Sequence, residues 1–192
     1  MTWRTLARYV QSLEDSGELI RVSDPVDVEL EAGCIADRLV KRGGGAILFE
    51  QPRLPDGTIS DLPLAMNLFG TRDRTNHALG VKKPDEIGNR MVSLMKPDIG
   101  GIMKAPWTGI GLALEGMSMA PMKVRKGACQ QIVIRDPDVT KLPIPKTWPE
   151  DGGRYITLPL VVTADPETGV HNMGMYRSCL LYTSDAADDG IR

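Results

Sequence analysis

Fourteen prolines and twenty glycines run through the 192 residues, and they restrict the fold more than any other feature. Proline removes a backbone donor, and glycine raises the entropy cost of regular structure. A loop-rich chain is expected rather than a helical bundle. The hydrophobic fraction of 42% and charged fraction of 25% are ordinary for a globular protein. A net charge of −2 gives no basic face for nucleic acid, and no zinc-finger or RNA-recognition pattern is present. No apolar run approaches the ~20 residues that span a bilayer. The opening Met1-Thr-Trp-Arg-Thr-Leu6 lacks the apolar core of a signal peptide. Cys34, Cys129 and Cys179 are odd in number and far apart, which suggests neither a disulfide framework nor a zinc site. Cytoplasm and reduced thiols are the expectation.

The first half alternates helix and strand. Leu6, Tyr9, Val10 and Leu13 recur at helical spacing, and Gly17 sits at the C′ position. Residues 19–22 read as a short strand broken by Asp24-Pro25. Asp27 is expected to cap a second helix with Leu30, Cys34, Ile35 and Leu39 on its apolar face, ended by the glycines at 43–45. Residues 46–49 read as a buried strand, Pro55-Asp56-Gly57 as a turn, and residues 62–69 as another strand. Thr71 and Pro84 mark two further helix starts, with Asp85 and Glu86 favouring the second. This order predicts a small α/β domain over residues 1–95.

Residues 96–122 read as a linker. Met95, Met103, Met117, Met119 and Met122 lie in or beside it and either form an adaptable binding surface or fill gaps. From Cys129 the chain turns β-rich. Residues 129–134 are a strand candidate, and residues 142–145 must run extended, because each proline restricts its predecessor. Residues 155–163 form a strong strand, turned by Asp165-Pro-Glu-Thr-Gly169 into a hairpin partner at 170–177. Overall the expected class is mixed α+β and α/β.

No P-loop, Gly-x-Gly-x-x-Gly or Gly-x-Ser-x-Gly occurs. His77 and His171 have no partner at metal spacing. Arg177, beside Tyr176, is of the type that binds a carboxylate through two parallel hydrogen bonds; an ordinary exposed arginine is the plainer alternative. Asn172 can offer a carbonyl oxygen to a hard cation or simply shape a turn. Gly174, between Met173 and Met175, suggests close approach to a flat ligand. Strand alternation sets Asn172, Gly174 and Tyr176 against Met173, Met175 and Arg177. One site can use both Asn172 and Arg177 only if the strand bends, most easily at Gly174.

The pieces Gly17-Glu-Leu19, Glu31 with Ile35-Ala-Asp37, Ala46-Ile-Leu-Phe-Glu50, Asn67-Leu-Phe-Gly70, Cys129-Gln-Gln131, Trp148-Pro-Glu-Asp-Gly-Gly-Arg154-Tyr-Ile-Thr157 and Asn172-Met-Gly-Met-Tyr-Arg177 resemble the UbiD family of carboxy-lyases, in this order. The resemblance covers residues 3–177. It implies the start of a flavin-binding split β-barrel over residues 123–178, following the N-terminal domain. It implies prenylated FMN as cofactor, with Met175, Tyr176 and Arg177 against it. Asn172 matches the metal ligand for a divalent ion, manganese by expectation, with potassium as a further ion. Arg177 matches the catalytic arginine that holds the substrate carboxylate and tunes a neighbouring acid. The implied reaction is non-oxidative decarboxylation of aromatic or unsaturated acids, with the flavin as electron sink. The implied partners are the small acid substrate, a flavin prenyltransferase and further copies of the chain. The substrate is a polyprenylated 4-hydroxybenzoate of quinone synthesis, which would place the protein beside the inner membrane, or a phenolic acid of the vanillate type. An FMN-binding module without lyase activity, such as a flavin reductase, is the competing class.

Residues 179–192 are expected to be foreign. Cys179-Leu-Leu-Tyr-Thr-Ser-Asp-Ala-Ala-Asp-Asp189 looks like a translated sequencing adaptor. Without Asp185, Asp188, Asp189 and Arg192, the remaining charges balance. The family's second metal-ligand acid and its catalytic acids are not found, so this chain alone is expected to be inactive. Reading the source DNA by an adaptor-free method is expected to replace the codons after Ser178 with a continuing frame; recovery of the same acidic tail and a stop codon would refute this.

Overall fold

The computed structural model describes residues 3, 5–95, 110, 111, 114, 117, 124–127 and 130–180. They divide into two compact units. One comprises residues 3–71 and 138–180; the other lies within residues 72–137.

In the larger unit, helix α1 (Leu6–Asp15) starts where the Thr5 hydroxyl accepts the Arg8 N–H at 3.2 Å. Gly17 ends it at φ +74, the left-handed conformation that favours glycine. Tyr9 and Leu13 are its buried residues. The Tyr9 ring stacks on Phe69 at 5.6 Å between centroids, and its hydroxyl donates to the Leu68 carbonyl at 3.0 Å. Strand β1 (Leu19–Val22) pairs in parallel with β3 (Ala46–Phe49), whose four residues are all buried. A parallel pair requires a crossover, and helix α2 (Glu31–Lys41) supplies it. Strand β5 (Leu64–Met66) completes the sheet antiparallel to β3, giving the order β1-β3-β5. The short strands β2 (Val26–Asp27) and β4 (Pro52–Arg53) form a separate parallel pair. The core joins Val26, Ala32, Ala36, Ile47 and Phe49.

Three expectations change here. Asp27 does not cap α2. It belongs to β2 and pairs with Arg53 at 3.1 Å. Leu30 occupies the cap position at φ +65, and the Glu31 carboxylate reaches back to the Asp27 N–H at 2.8 Å. No side chain caps the helix; its first acid instead ties down the strand residue that leads into it. Its buried face is also shifted: Ala32, Gly33 and Ala36 face inward with Ile35 and Leu39 beside them, while Leu30 and Cys34 are exposed. Finally, the strand expected over 62–69 is only three residues long. Asn67 turns it off at φ +56 and donates its side-chain amide to the Gly45 carbonyl at 2.7 Å.

The segment after Asp138 packs onto this domain. Asp138 caps a 3-10 turn, Val139–Lys141. The extended residues that follow reach the α2 entrance, where Leu30 N–H donates to the Lys146 carbonyl at 2.8 Å and Lys146 N–H to the Val28 carbonyl at 3.1 Å. Val28 and Ile144 are buried.

In the smaller unit, α3 (Arg72–Leu79) and α4 (Asp85–Met95) fall where Thr71 and Pro84 announced them. Asn76 donates to the Lys82 carbonyl at 3.1 Å, and Glu86 accepts the Lys83 N–H at 3.1 Å. The strand expected over 129–134 is not formed: Ile132, Val133 and Ile134 are exposed and irregular, with Cys129 outside the described residues. Met95 and Met117 are exposed, while Met103, Met119 and Met122 of the linker also lie outside the described residues.

Phe49 has no exposed surface, whereas Ile20 on the neighbouring strand is 44% exposed. Phe49→Ala is expected to cost about 3–5 kcal/mol and Ile20→Ala far less, measured by chemical denaturation. Equal losses would show that the sheet's core face is wrongly placed.

Candidate functional site: the strands around Arg177

The segment leading to the site begins with a turn made by its own acid. The Asp151 carboxylate accepts the Trp148 N–H at 3.0 Å and the Thr147 hydroxyl at 3.2 Å. Gly153 follows, where any Cβ would collide with the Leu180 carbonyl. Strand β6 (Arg154–Ile156) then pairs antiparallel with β9 (Ser178–Leu180). The single strand expected over 155–163 is thus broken. Pro159, which has no N–H to donate, lies in the gap before β7 (Leu160–Ala164). The expected hairpin forms: β7 pairs with β8 (His171–Met175), and the Asp165 carboxylate accepts the Glu167 and Thr168 N–H groups in the turn.

Gly174 lies in continuous register opposite Val161, without a bulge. The bend comes two residues later. After Met175 the chain leaves β7, and from Ser178 it pairs with β6 instead. Tyr176 and Arg177 form the joint. The flat group beside Gly174 is Tyr176 itself, whose ring lies 2.6 Å from where a Cβ would stand.

Three consecutive residues therefore have different neighbours. Met175 lies across from Leu160, Tyr176 covers Gly174, and the Arg177 guanidinium sits 4.5 Å from the Tyr155 ring centroid. Arg177 is exposed, and among the described residues no carboxylate pairs with it. Asn172 is exposed opposite Thr163 and makes no hydrogen bond to Arg177 among the described residues. The described residues hold no cluster of three His, Cys, Asp or Glu side chains. A hard cation takes about six or more oxygens, so Asn172 would be one ligand among several from elsewhere. One hairpin face carries Leu160, Val162, Met173 and Met175, exposed by 61%, 62%, 66% and 66%. An uncovered apolar face suits a flat ligand, and the exposed guanidinium two residues beyond Met175 suits an anionic substituent.

Two supporting residues escaped the sequence reading. Arg154 is 1% exposed, with its guanidinium donating to the Thr140 carbonyl at 3.3 Å. Burial pushes its pKa down, while Glu29, Asp138 and Asp56 act the other way. It lines a cavity of about 190 Å³ with Leu54, Pro55, Asp56 and Thr140. An arginine after two glycines gives no sequence cue to burial, since arginine is nearly always exposed. Lys141 binds Asp56 at 2.8 Å. Its ammonium holds the Asp56 carboxyl well below the ordinary range, helped by the Thr58 hydroxyl and amide. Tyr155 is shifted too: a hydrogen bond to Cys179 raises its phenol most, Cys179 charge and burial add to this, and Arg177 opposes it.

Comparison with known proteins places this architecture. The N-terminal domain of 3-octaprenyl-4-hydroxybenzoate carboxy-lyase matches residues 10–92, and the Rift-related domain of the same family matches residues 122–187. The chain belongs to the UbiD family. An uncharacterized protein of Archaeoglobus fulgidus is 44% identical over 177 residues, covering 92% of this chain and 35% of that protein. One from Aquifex aeolicus is 34% identical over 178 residues, covering 91% and 36%. The chain spans about a third of the length of these curated relatives. The UbiD-class enzyme HmfF from Pelotomaculum thermopropionicum, solved with FMN, superposes with a TM-score of 0.59 at 27% identity, over 90% of this chain and 33% of that one. The vanillic acid decarboxylase of Sedimentibacter hydroxybenzoicus, in its closed form, superposes with a TM-score of 0.69 at 23% identity, over 92% and 35%, which shows the shared fold.

The Asp56 shift fixes a pH dependence. Its pKa is depressed on folding, so its contribution is present above the unfolded value of about 4 and is lost as pH falls through the lower folded value. Stability against denaturant should therefore fall with acidification below about pH 4, and Asp56→Asn should flatten part of that fall. Identical acid profiles for the two proteins would exclude the Asp56–Lys141 contact as its source.

Proposed function

We propose that this chain is the N-terminal part of a non-oxidative decarboxylase acting on aromatic or unsaturated carboxylic acids. The observation that carries this is the placement of Arg177: exposed, held over Tyr155, and two residues along the chain from Met175 at the end of the exposed apolar β7–β8 face. In this reading Arg177 is the catalytic arginine. Its planar fork takes the substrate carboxylate through paired hydrogen bonds and holds it while the bond to the ring or alkene carbon breaks. Met175 and Tyr176 would lie against the cofactor, and Asn172 would give one oxygen to a divalent ion, manganese being the expected metal. Prenylated FMN, when bound, would supply the electron sink for the bond pair left on the substrate carbon as carbon dioxide leaves. HmfF, whose structures hold FMN and prenylated FMN, supports the cofactor. A proton donor for the product carbon would come from beyond these residues.

The finer substrate reading is a polyprenylated 4-hydroxybenzoate, supported by the description of both matching family domains. A flavin prenyltransferase would supply the cofactor. The complete protein would assemble with copies of itself, as the evolved dimeric HmfF does. No described helix is long and apolar enough to cross a membrane.

The test uses the complete open reading frame, produced together with a flavin prenyltransferase and assayed for carbon dioxide release. Arg177→Ala is expected to lower kcat by about 100-fold or more, the usual scale for removing a preorganised charge partner. Arg177→Lys should recover little, because an ammonium lacks the planar fork. Full turnover in Arg177→Ala would overturn the assignment.

A further inference from the structure

We propose that Tyr155 is the positioning residue that sets the direction of the Arg177 guanidinium. This rests on the reading of Arg177 as the carboxylate-binding group. The geometry follows from strand register. Tyr155 is opposite Cys179, and Ile156 is opposite Ser178. Arg177 lies one residue before the last pair, Ile156–Ser178, so continuing the ladder by that residue sets it diagonal to Tyr155. Diagonal neighbours of an antiparallel ladder share a face and lie within reach of aromatic and long side chains. The guanidinium carbon lies 4.5 Å from the ring centroid, inside the ~6 Å range of cation–π attraction.

Tyr155 is itself firmly held. Its N–H donates to the Pro145 carbonyl at 3.1 Å, in the segment stitched to the α2 entrance. Its neighbour Arg154 is buried beneath the 3-10 turn, so alternation along β6 turns Tyr155 the other way. Arg177, by contrast, belongs to no strand and has no ion-pair partner among the described residues. A long side chain at such a joint would otherwise sample many rotamers and lose that freedom on binding a substrate. The ring face removes part of that loss beforehand. A guanidinium lying flat on the ring would leave its edge, which carries the N–H donors, open to a carboxylate.

The test pairs two variants with two readouts. Tyr155→Phe keeps the ring and removes the hydroxyl; Tyr155→Leu removes the ring. In the 192-residue chain, phenylglyoxal labelling of Arg177 is followed by mass spectrometry. Tyr155→Leu is expected to label about two- to fivefold faster than the parent chain, the scale of an exposed cation–π contact, with Tyr155→Phe close to the parent. In the complete protein, Tyr155→Leu is expected to raise KM by a similar factor with a smaller change in kcat, and Tyr155→Phe to restore it. Unchanged labelling and KM in a folded Tyr155→Leu protein would overturn the proposal. So would equal impairment of both variants, which would assign the effect to the hydroxyl. Turnover surviving Arg177→Ala would remove the carboxylate reading, while the labelling comparison would still decide the Tyr155 contact by itself.

Discussion

The two backbone hydrogen bonds between Lys146 and the Val28–Leu30 edge hold this arrangement together. Each is worth only about 1 kcal/mol net, yet they join segments more than a hundred residues apart in sequence. Closing so long a loop has a real entropic cost, which burial of Val28 and Ile144 helps to offset. Prolines make the stitch selective. Pro143 and Pro145 have no N–H, so only Ile144 and Lys146 can donate from this stretch. Ile144 donates locally to Leu142, and Lys146 is left for Val28. Pro145 then offers its carbonyl to Tyr155. The first strand of the site thus hangs from the same segment that is fastened to the N-terminal domain.

The elements legible in the sequence were those fixed by local chemistry. Leu6, Tyr9 and Leu13 announced α1, residues 46–49 the central strand, and Pro84 with Asp85 the start of α4. The Asp165–Gly169 turn announced the β7–β8 hairpin. The misreadings at α2 involve tertiary competition. Asp27 has every local reason to cap a helix, but its backbone is taken by the β2–β4 pair. The Glu31 carboxylate accepts the Asp27 N–H outside the helix, and no side chain caps α2. Cys34 and Leu30 fit an apolar stripe, yet small residues, Ala32, Gly33 and Ala36, lie inside, because Thr147 approaches the helix so closely that a Cβ at Gly33 would stand 3.1 Å from its Cα. A propensity argument has no access to that approach.

The candidate site was partly legible for a different reason. The order of short motifs pointed to the UbiD family, and the family matches agree. Strand alternation also showed that one site could use both Asn172 and Arg177 only through a bend. It did not show where. Gly174 was the natural choice, but the bend comes from an exchange of pairing partners, which is a property of two ladders. The roles of Tyr155 and Arg154 were hidden likewise, since both depend on which residue lies across a strand or beneath a turn.

The exchange of partners at Tyr176 and Arg177 makes chain length at this joint as strict as residue identity. Removing or inserting one residue between Met175 and Ser178 would turn every side chain of β9 to the opposite face. The diagonal that sets Arg177 on Tyr155 would then point away from the site, with both residues still present. Relatives that build the same pair should therefore vary in the loop at residues 165–169, where the hairpin can absorb an insertion, and keep an unvarying count across the joint.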